Sequence, residues 1–156
     1  MTFPKRALLN PGGLTAFYFI PIENVVSTPG EVNGRMRNPV VIRQEGRFFK
    51  GYATSDSLKY SEKTSKTANG TYYSHNLQGY YPGDEGEVQS LFEEMETLGR
   101  YYLVVFEDLL GRRRLAGYGG KLSFESSYDS DNKRYSISFN GDSLKKAPIY
   151  PFPLIF

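Results

Sequence analysis

Residues 101–141 constrain the fold of this chain more than any other stretch, because two β-hairpins are written there back to back. A nearly unbroken apolar run, residues 101–107, passes through Leu110 and Gly111 into residues 112–117. Residues 121–128 and 134–140 form a second pair, joined by Asp129-Ser130-Asp131-Asn132-Lys133. Asp, Asn and Gly accept turn geometry at little cost, so both connections read as turns. The run 101–106 is apolar at successive positions, as a strand covered on both faces must be. Leu122, Phe124 and Tyr128 alternate with polar residues, as do Tyr135, Ile137 and Phe139, and these read as half-exposed strands.

One segment departs from the two-residue period. Val88, Leu91, Phe92, Met95 and Leu98 recur at helical spacing and predict a helix over about residues 85–98. Asp84 with Glu87 three residues on resembles a capping box at its start, and Gly99 supplies its stop. Elsewhere, residues 14–20 read as a buried strand stopped by Pro21, and residues 27–38, rich in Pro, Gly and Asn, as a long loop. Residues 39–43 and 47–54 predict a hairpin across Gln44-Glu45-Gly46, which residues 58–62 would extend. The polar stretch 63–70 reads as a flexible loop. Residues 71–79 alternate again, with Tyr73, His75 and Leu77 on one face. An irregular arm, residues 1–13, precedes all of this, and a proline-punctuated apolar tail, residues 147–156, follows it. That tail is costly to leave in water, so it should dock on its own domain or on a partner.

The sum is a mainly β chain: an antiparallel β-sandwich or barrel with one flanking α-helix, closed on itself to protect its edges. A length of 156 residues suits a single domain with a sizeable core. With no cysteine, neither disulfides nor thiolate metal sites contribute, which suits assembly in a reducing cytoplasm. A net charge of +2 argues by itself for neither nucleic acid nor membrane. The short apolar run near the start resembles neither a signal peptide nor a spanning segment.

Catalytic chemistry finds little support in these residues. His75 is the only histidine, and its strand face suits packing better than general-base work; it has no second histidine for a typical metal site. The 129–132 run begins like a calcium loop, but Lys133 and Arg134 stand where an oxygen ligand and a glycine are required. Gly117-Tyr118-Gly119-Gly120 precedes a strand rather than a helix, so it reads as a flexible link and not a phosphate loop. The chain is expected to be no enzyme and to need no cofactor or metal.

Charge is the stronger signal. Arg112-Arg113-Arg114 is followed by Lys121, with no acid between Gly111 and Lys121; alternation sets Arg112 and Arg114 on one face and Arg113 on the other. An edge strand protected from aggregation explains such a run about as well as a contact does. As a contact, it could meet phosphates beside Tyr101, Tyr102 and Tyr118, or an acidic surface on a neighbouring copy. The helix offers that surface: Glu85, Glu87, Glu93, Glu94 and Glu96, with no base between Asp84 and Leu98. A chain carrying both halves of a heterologous contact can build rings or stacks. The candidate assembly residues are therefore Arg112, Arg113, Arg114, Lys121, Glu87, Glu93, Glu94 and Glu96, with Ile149, Tyr150, Phe152 and Phe156 of the tail.

A family likeness lies in the order of these segments. A strand follows Asn10-Pro11-Gly12-Gly13; then come Gly51-Tyr52-Ala53-Thr54-Ser55-Asp56 and residues 72–82, which lead into the helix. Tyr101-Tyr102-Leu103-Val104-Val105-Phe106-Glu107-Asp108, Arg114-Leu115-Ala116-Gly117 and Tyr135-Ser136-Ile137-Ser138-Phe139-Asn140-Gly141 complete it. Over most of residues 10–150 the chain resembles small tail-associated structural proteins of phages and prophages of Bacteroidetes-type hosts. It is similar, too, to tail-tube architecture, in which a β-barrel with one flanking helix forms rings. The resemblance implies a virion component assembled in the host cytoplasm. Its partners would be further copies in a ring or tube and other tail or baseplate proteins, with no membrane and no catalytic residues. Residues 27–38 and 63–70 are the candidates for the long loop with which tube proteins reach the adjacent ring. The alternative, read from the arginines and tyrosines, is a β-barrel module that binds single-stranded nucleic acid or another polyanion.

Overall fold

The computed structural model describes Thr2, residues 12–54 and residues 56–156. The expected N-terminal arm therefore lies outside the described residues, apart from Thr2, Gly12 and Gly13. In chain order the elements are β1 (Leu14–Pro21), a 3₁₀ turn (Ile22–Asn24), β2 (Val25–Ser27), β3 (Glu31–Val32), β4 (Arg35–Met36), β5 (Val41–Ile42), β6 (Phe49–Lys50), β7 (Lys59–Thr67), β8 (Gly70–Pro82), α1 (Gly86–Met95), β9 (Tyr102–Asp108), β10 (Arg113–Ala116), β11 (Ser123–Asp129) and β12 (Arg134–Ser143). They form two antiparallel four-stranded sheets, ordered β10-β9-β1-β6 and β11-β12-β8-β7, with two small two-stranded ribbons, β2-β5 and β3-β4.

The main core lies between the sheets. Phe17, Val104 and Phe106 meet Leu77, Ile137 and Phe139, and Phe92 and Met95 of α1 close over Phe124. The alternate residues of the first sheet, Ile20, Leu103, Val105 and Leu115, point the other way into a second core beneath Met36, Val40, Phe48 and Tyr150. β9 is thus buried on both faces, as its unbroken apolar run requires. Both hairpins of residues 101–141 form, with Arg113 opposite Glu107 and Tyr128 opposite Tyr135. The sheets touch through an isolated bridge between Tyr102 and Leu122, and no closed barrel exists among the described residues. The arrangement is a sandwich.

Several local expectations change. Residues 27–38 are no long loop: β3 and β4 pair across Asn33-Gly34, both at positive φ, the geometry of a tight hairpin turn. The hairpin expected across residues 44–46 is absent, because β5 pairs with β2 and β6 with β1. Residues 63–70 are not a loop either; β7 and β8 run in register from Lys59↔Gln78 to Thr67↔Gly70. The capping box does not form. Glu85 holds the N-cap position without a side-chain cap bond, and the Asp84 carboxylate accepts from the Tyr128 hydroxyl instead. α1 ends at Met95, which leaves Leu98 99% exposed, and Leu91 faces outward. The glycine link 117–120 is a tight corner. There the chain passes so close to β12 that a side chain on Gly120 or Gly141 would overlap the backbone of the other segment.

The tail docks on its own chain. Ile149 bridges Arg35 on one side and Arg114 on the other, which places it between β4 and β10. Leu115 and Tyr150 donate backbone hydrogen bonds to the Pro148 and Arg113 carbonyls, so β10 is not the solvated edge that its arginines suggest. Tyr150 is 2% exposed and its hydroxyl accepts from the Val40 N–H.

Candidate assembly surfaces and the basic groove

The second sheet is finished differently from the first. Its outward face carries Lys59, Gln78, Ser138 and Glu125 in one row and Tyr80, Ser136 and Ser127 in the next, a polar surface with no aliphatic side chain in either row. Its two edges, β7 and β11, take no further strand among the described residues. β7 bears Lys59, Lys63 and Lys66 against Glu62, whereas β11 bears Glu125 and Asp129 with no base. The outer half of the β7–β8 hairpin, residues 63–74, has no buried residue, so it adds little to the core of its own chain.

Between the β7 edge of one sheet and the β10 end of the other lies a groove of about 730 Å³. Lys59, Arg112, Arg114 and Lys146 line it, above a floor that includes Leu14, Leu58 and Phe106. Its two carboxylates are engaged within the fold. Glu62 accepts from the Ala147 N–H at 2.9 Å, and Asp108 from the Leu110 and Arg112 N–H groups at 2.9 Å each. Arg114 donates to the Ala147 carbonyl at 2.9 Å, and Lys146 sits 5.7 Å from the Tyr73 ring centre. Among the described residues none of the four cations has an ion-pair partner.

At the inner end of the groove Tyr60, Glu62 and His75 form one cluster. The Tyr60 ring stacks on Phe106, and its hydroxyl contacts both His75 Nδ1 and Glu62 Oε1. His75 Nε2 faces the Lys145 carbonyl at 3.1 Å; a carbonyl only accepts, so Nε2 carries the proton. Burial raises the Tyr60 phenol, reinforced by Glu62, and lowers the His75 imidazole against the opposing pull of the Lys145 carbonyl and Glu62. Both ring nitrogens of His75 are occupied. The cluster ties β7 and β8 to residues 145–147, where the tail leaves for β10.

The structure sorts the candidate residues. Arg112 and Arg114 share the groove, while Arg113 lies on the opposite face, 3.8 Å from Glu107 and 3.4 Å from the Phe152 carbonyl. Lys121 covers the Tyr101 ring and does not line the groove. On α1, Glu93 and Glu96 sit beside β11, and Glu96 accepts from the Ser126 hydroxyl. Glu87 and Glu94 stand on the other flank with Leu91, and Glu94 pairs with Arg100 at 3.2 Å. Tyr150 is internal and offers nothing to a partner, Ile149 is held in the sheet, Phe152 is half-buried against Tyr150, and Phe156 stays 65% exposed beside Tyr18. Sequence reasoning misses Lys59, Lys63, Lys66 and Lys146, the second and third because a wholly polar strand reads as a loop. Their signal is charge: no acid lies between Lys63 and Gly83.

No cluster of three or more metal-ligating side chains occurs among the described residues. The Asp129 carboxyl is held below its usual range by the Asn132 side chain and the Asp131 N–H, which makes residues 129–133 a self-satisfied turn. Among the described residues no helix is long and apolar enough to cross a membrane. No family model matches the chain, and no curated protein or solved structure matches it either.

Proposed function

We propose that this protein is a non-enzymatic structural subunit of a phage tail or a related tube-forming particle, and that it works by head-to-tail association into rings. The observation that carries this reading is the second sheet: one edge, β7, is rich in lysine and the other, β11, is acidic, and both are unpaired among the described residues. An unpaired edge is a template for another strand. Edges of opposite charge at the two ends of one sheet favour β7 of one copy beside β11 of the next over either edge beside itself. Such a contact is heterologous and closes into a ring where the rotation allows. The projecting β7–β8 hairpin, in the segment expected to reach a neighbouring ring, is then the stacking arm. Its place in a virion tail rests on the sequence resemblance.

Sedimentation velocity and negative-stain microscopy of the full chain test this. Rings or stacks without nucleic acid support it, and a chain that remains monomeric up to high concentration overturns it. The double variant Lys63→Glu with Lys66→Glu makes both edges acidic and is expected to abolish rings while the monomer stays folded.

The groove with its four cations favours a second reading, a module for single-stranded nucleic acid or another polyanion. Its mark is tight oligonucleotide binding that weakens steeply with salt.

A further inference from the structure

Two surfaces on opposite flanks of the sandwich match one another, and the one ion pair on either among the described residues is the exposed Glu94–Arg100 pair. On the flank where β7 ends its sheet, the groove sets four cations, without ion-pair partners among the described residues, around an apolar floor. Across the same sheet, on the flank where β11 ends it, α1 carries Glu87, Leu91 and Glu94. These three are spaced by four and three residues, so they form one stripe on the helix. Phe92 and Met95 turn inward, which leaves the stripe free of the core, and Leu91 is 48% exposed. The stripe is apolar in its middle and acidic at its ends; the groove is apolar at its base and basic at its rim.

We propose that the groove receives the Glu87–Leu91–Glu94 stripe of α1 from a second copy of this chain. The proposal rests on the assembly reading and specifies the side-chain contact that accompanies edge pairing. Leu91 would meet the floor near Leu14 and Leu58, and the two carboxylates would face Arg112, Arg114 and Lys146. The pairing is directional, since no copy can offer its groove and its helix to the same neighbour through one patch. Repetition therefore gives a head-to-tail series. It also fixes which way β11 of the second copy runs beside β7, because α1 packs against β11 in its own chain. Charge complementarity across such a contact contributes specificity and orientation more than raw affinity.

Charge exchange tests it. One variant reverses the groove (Arg112→Glu with Lys146→Glu) and another reverses the helix (Glu87→Lys with Glu94→Lys). All four side chains lie away from the buried clusters, and circular dichroism with thermal melting reports whether each variant folds. Each variant alone sets like charges together and is expected to weaken assembly by about tenfold or more in sedimentation. An equimolar mixture of the two restores opposite charges at every contact if the copies alternate, and it is expected to assemble. A third variant, Leu91→Ala, tests the apolar part without charge and is expected to weaken assembly by about threefold to tenfold.

The proposal is overturned if the wild-type chain assembles and the reversed variants assemble equally well, or if the mixture stays apart. It is likewise overturned if groove reversal abolishes oligonucleotide binding while assembly is untouched, because the groove then serves a nucleic acid. Those outcomes leave the edge-pairing reading standing. A monomeric wild-type chain removes both.

Discussion

The two four-stranded sheets are built from one chain to opposite specifications. The first is packed on both faces, and its edge at β10 is covered by residues 148–150 of the tail. The second is packed on one face only, presents serines, amides and charges on the other, and leaves β7 and β11 unpaired among the described residues. A fold that aimed only at stability would protect both sheets alike. That it covers the β10 edge of the first sheet and leaves both edges of the second open separates the part that holds the chain together from the part available for contact. The division sharpens at β7, whose inner half joins the Tyr60–Glu62–His75 cluster while its outer half stands in solvent.

The contrast is most exposed to test in the first sheet. Leu115 is fully buried in the second core, so Leu115→Ala should cost about 2–5 kcal/mol in urea unfolding. A loss below about 1 kcal/mol there would mean that the covered sheet is not where stability resides. Removing the tail is the next largest perturbation. Truncation before Ala147 strips the pairing from β10 and empties the Tyr150 site, and it should leave a chain that unfolds or aggregates at its exposed edge. Truncation after Tyr150 keeps those contacts and should cost far less. Equal behaviour of the two truncations would show that residues 148–150 do not protect β10.

The hinge between the two specifications is tested by Tyr60→Phe. The variant keeps the stack on Phe106 but leaves His75 Nδ1 without a donor, and it should cost about 1–3 kcal/mol. The same cluster gives a pH signature. Burial lowers the folded pKa of His75, the only histidine, below its ordinary 6.5. The unfolded chain therefore takes up a proton first as pH falls, so stability is full above about 6.5 and declines below it, toward the folded value. The groups facing His75 are Tyr60, Glu62 and Asp142, and the window that reads the imidazole runs from about pH 7.5 to 5.5. Unfolding free energies measured across that window should fall in the wild type and stay flat in His75→Asn. A wild-type slope of zero or of opposite sign would show that the fold does not disfavour the charged imidazole.

What the sequence disclosed follows the same division. The second hairpin of residues 101–141 and the helix are legible because each buries one face, which imprints a period on the residues, and β9 because burial on both faces makes it apolar throughout. β7 reads as a loop in its outer half because a hairpin arm that buries nothing has no period to show. Residues 39–54 look like a hairpin because β5 and β6 lie near each other in sequence, yet their partners are β2 and β1. Short strands of two residues carry too little pattern to announce a distant partner. The tight β3–β4 turn is written plainly in Asn33-Gly34 but is masked by the surrounding prolines and glycines. In the groove, Arg112 and Arg114 share a face as strand alternation requires. Lys59 and Lys146 join them only through packing, since they lie on segments distant in sequence.

The smallest expected effect is also the most discriminating about the open sheet. Ser138→Ala and Gln78→Ala lie on its outward face, where each side chain accepts one hydrogen bond from a neighbouring asparagine, Asn140 at 2.9 Å and Asn76 at 3.4 Å, and touches no core residue. Each should change unfolding free energy by no more than about 0.5 kcal/mol. If that face is idle in the assembled particle as well, the substitutions should leave assembly unchanged. If it lies against another surface there, the same two changes should alter sedimentation while the melting of the monomer stays fixed. A loss of monomer stability near that of Leu115→Ala would instead place the outward face under structural constraint, and the contrast between the two sheets would fail.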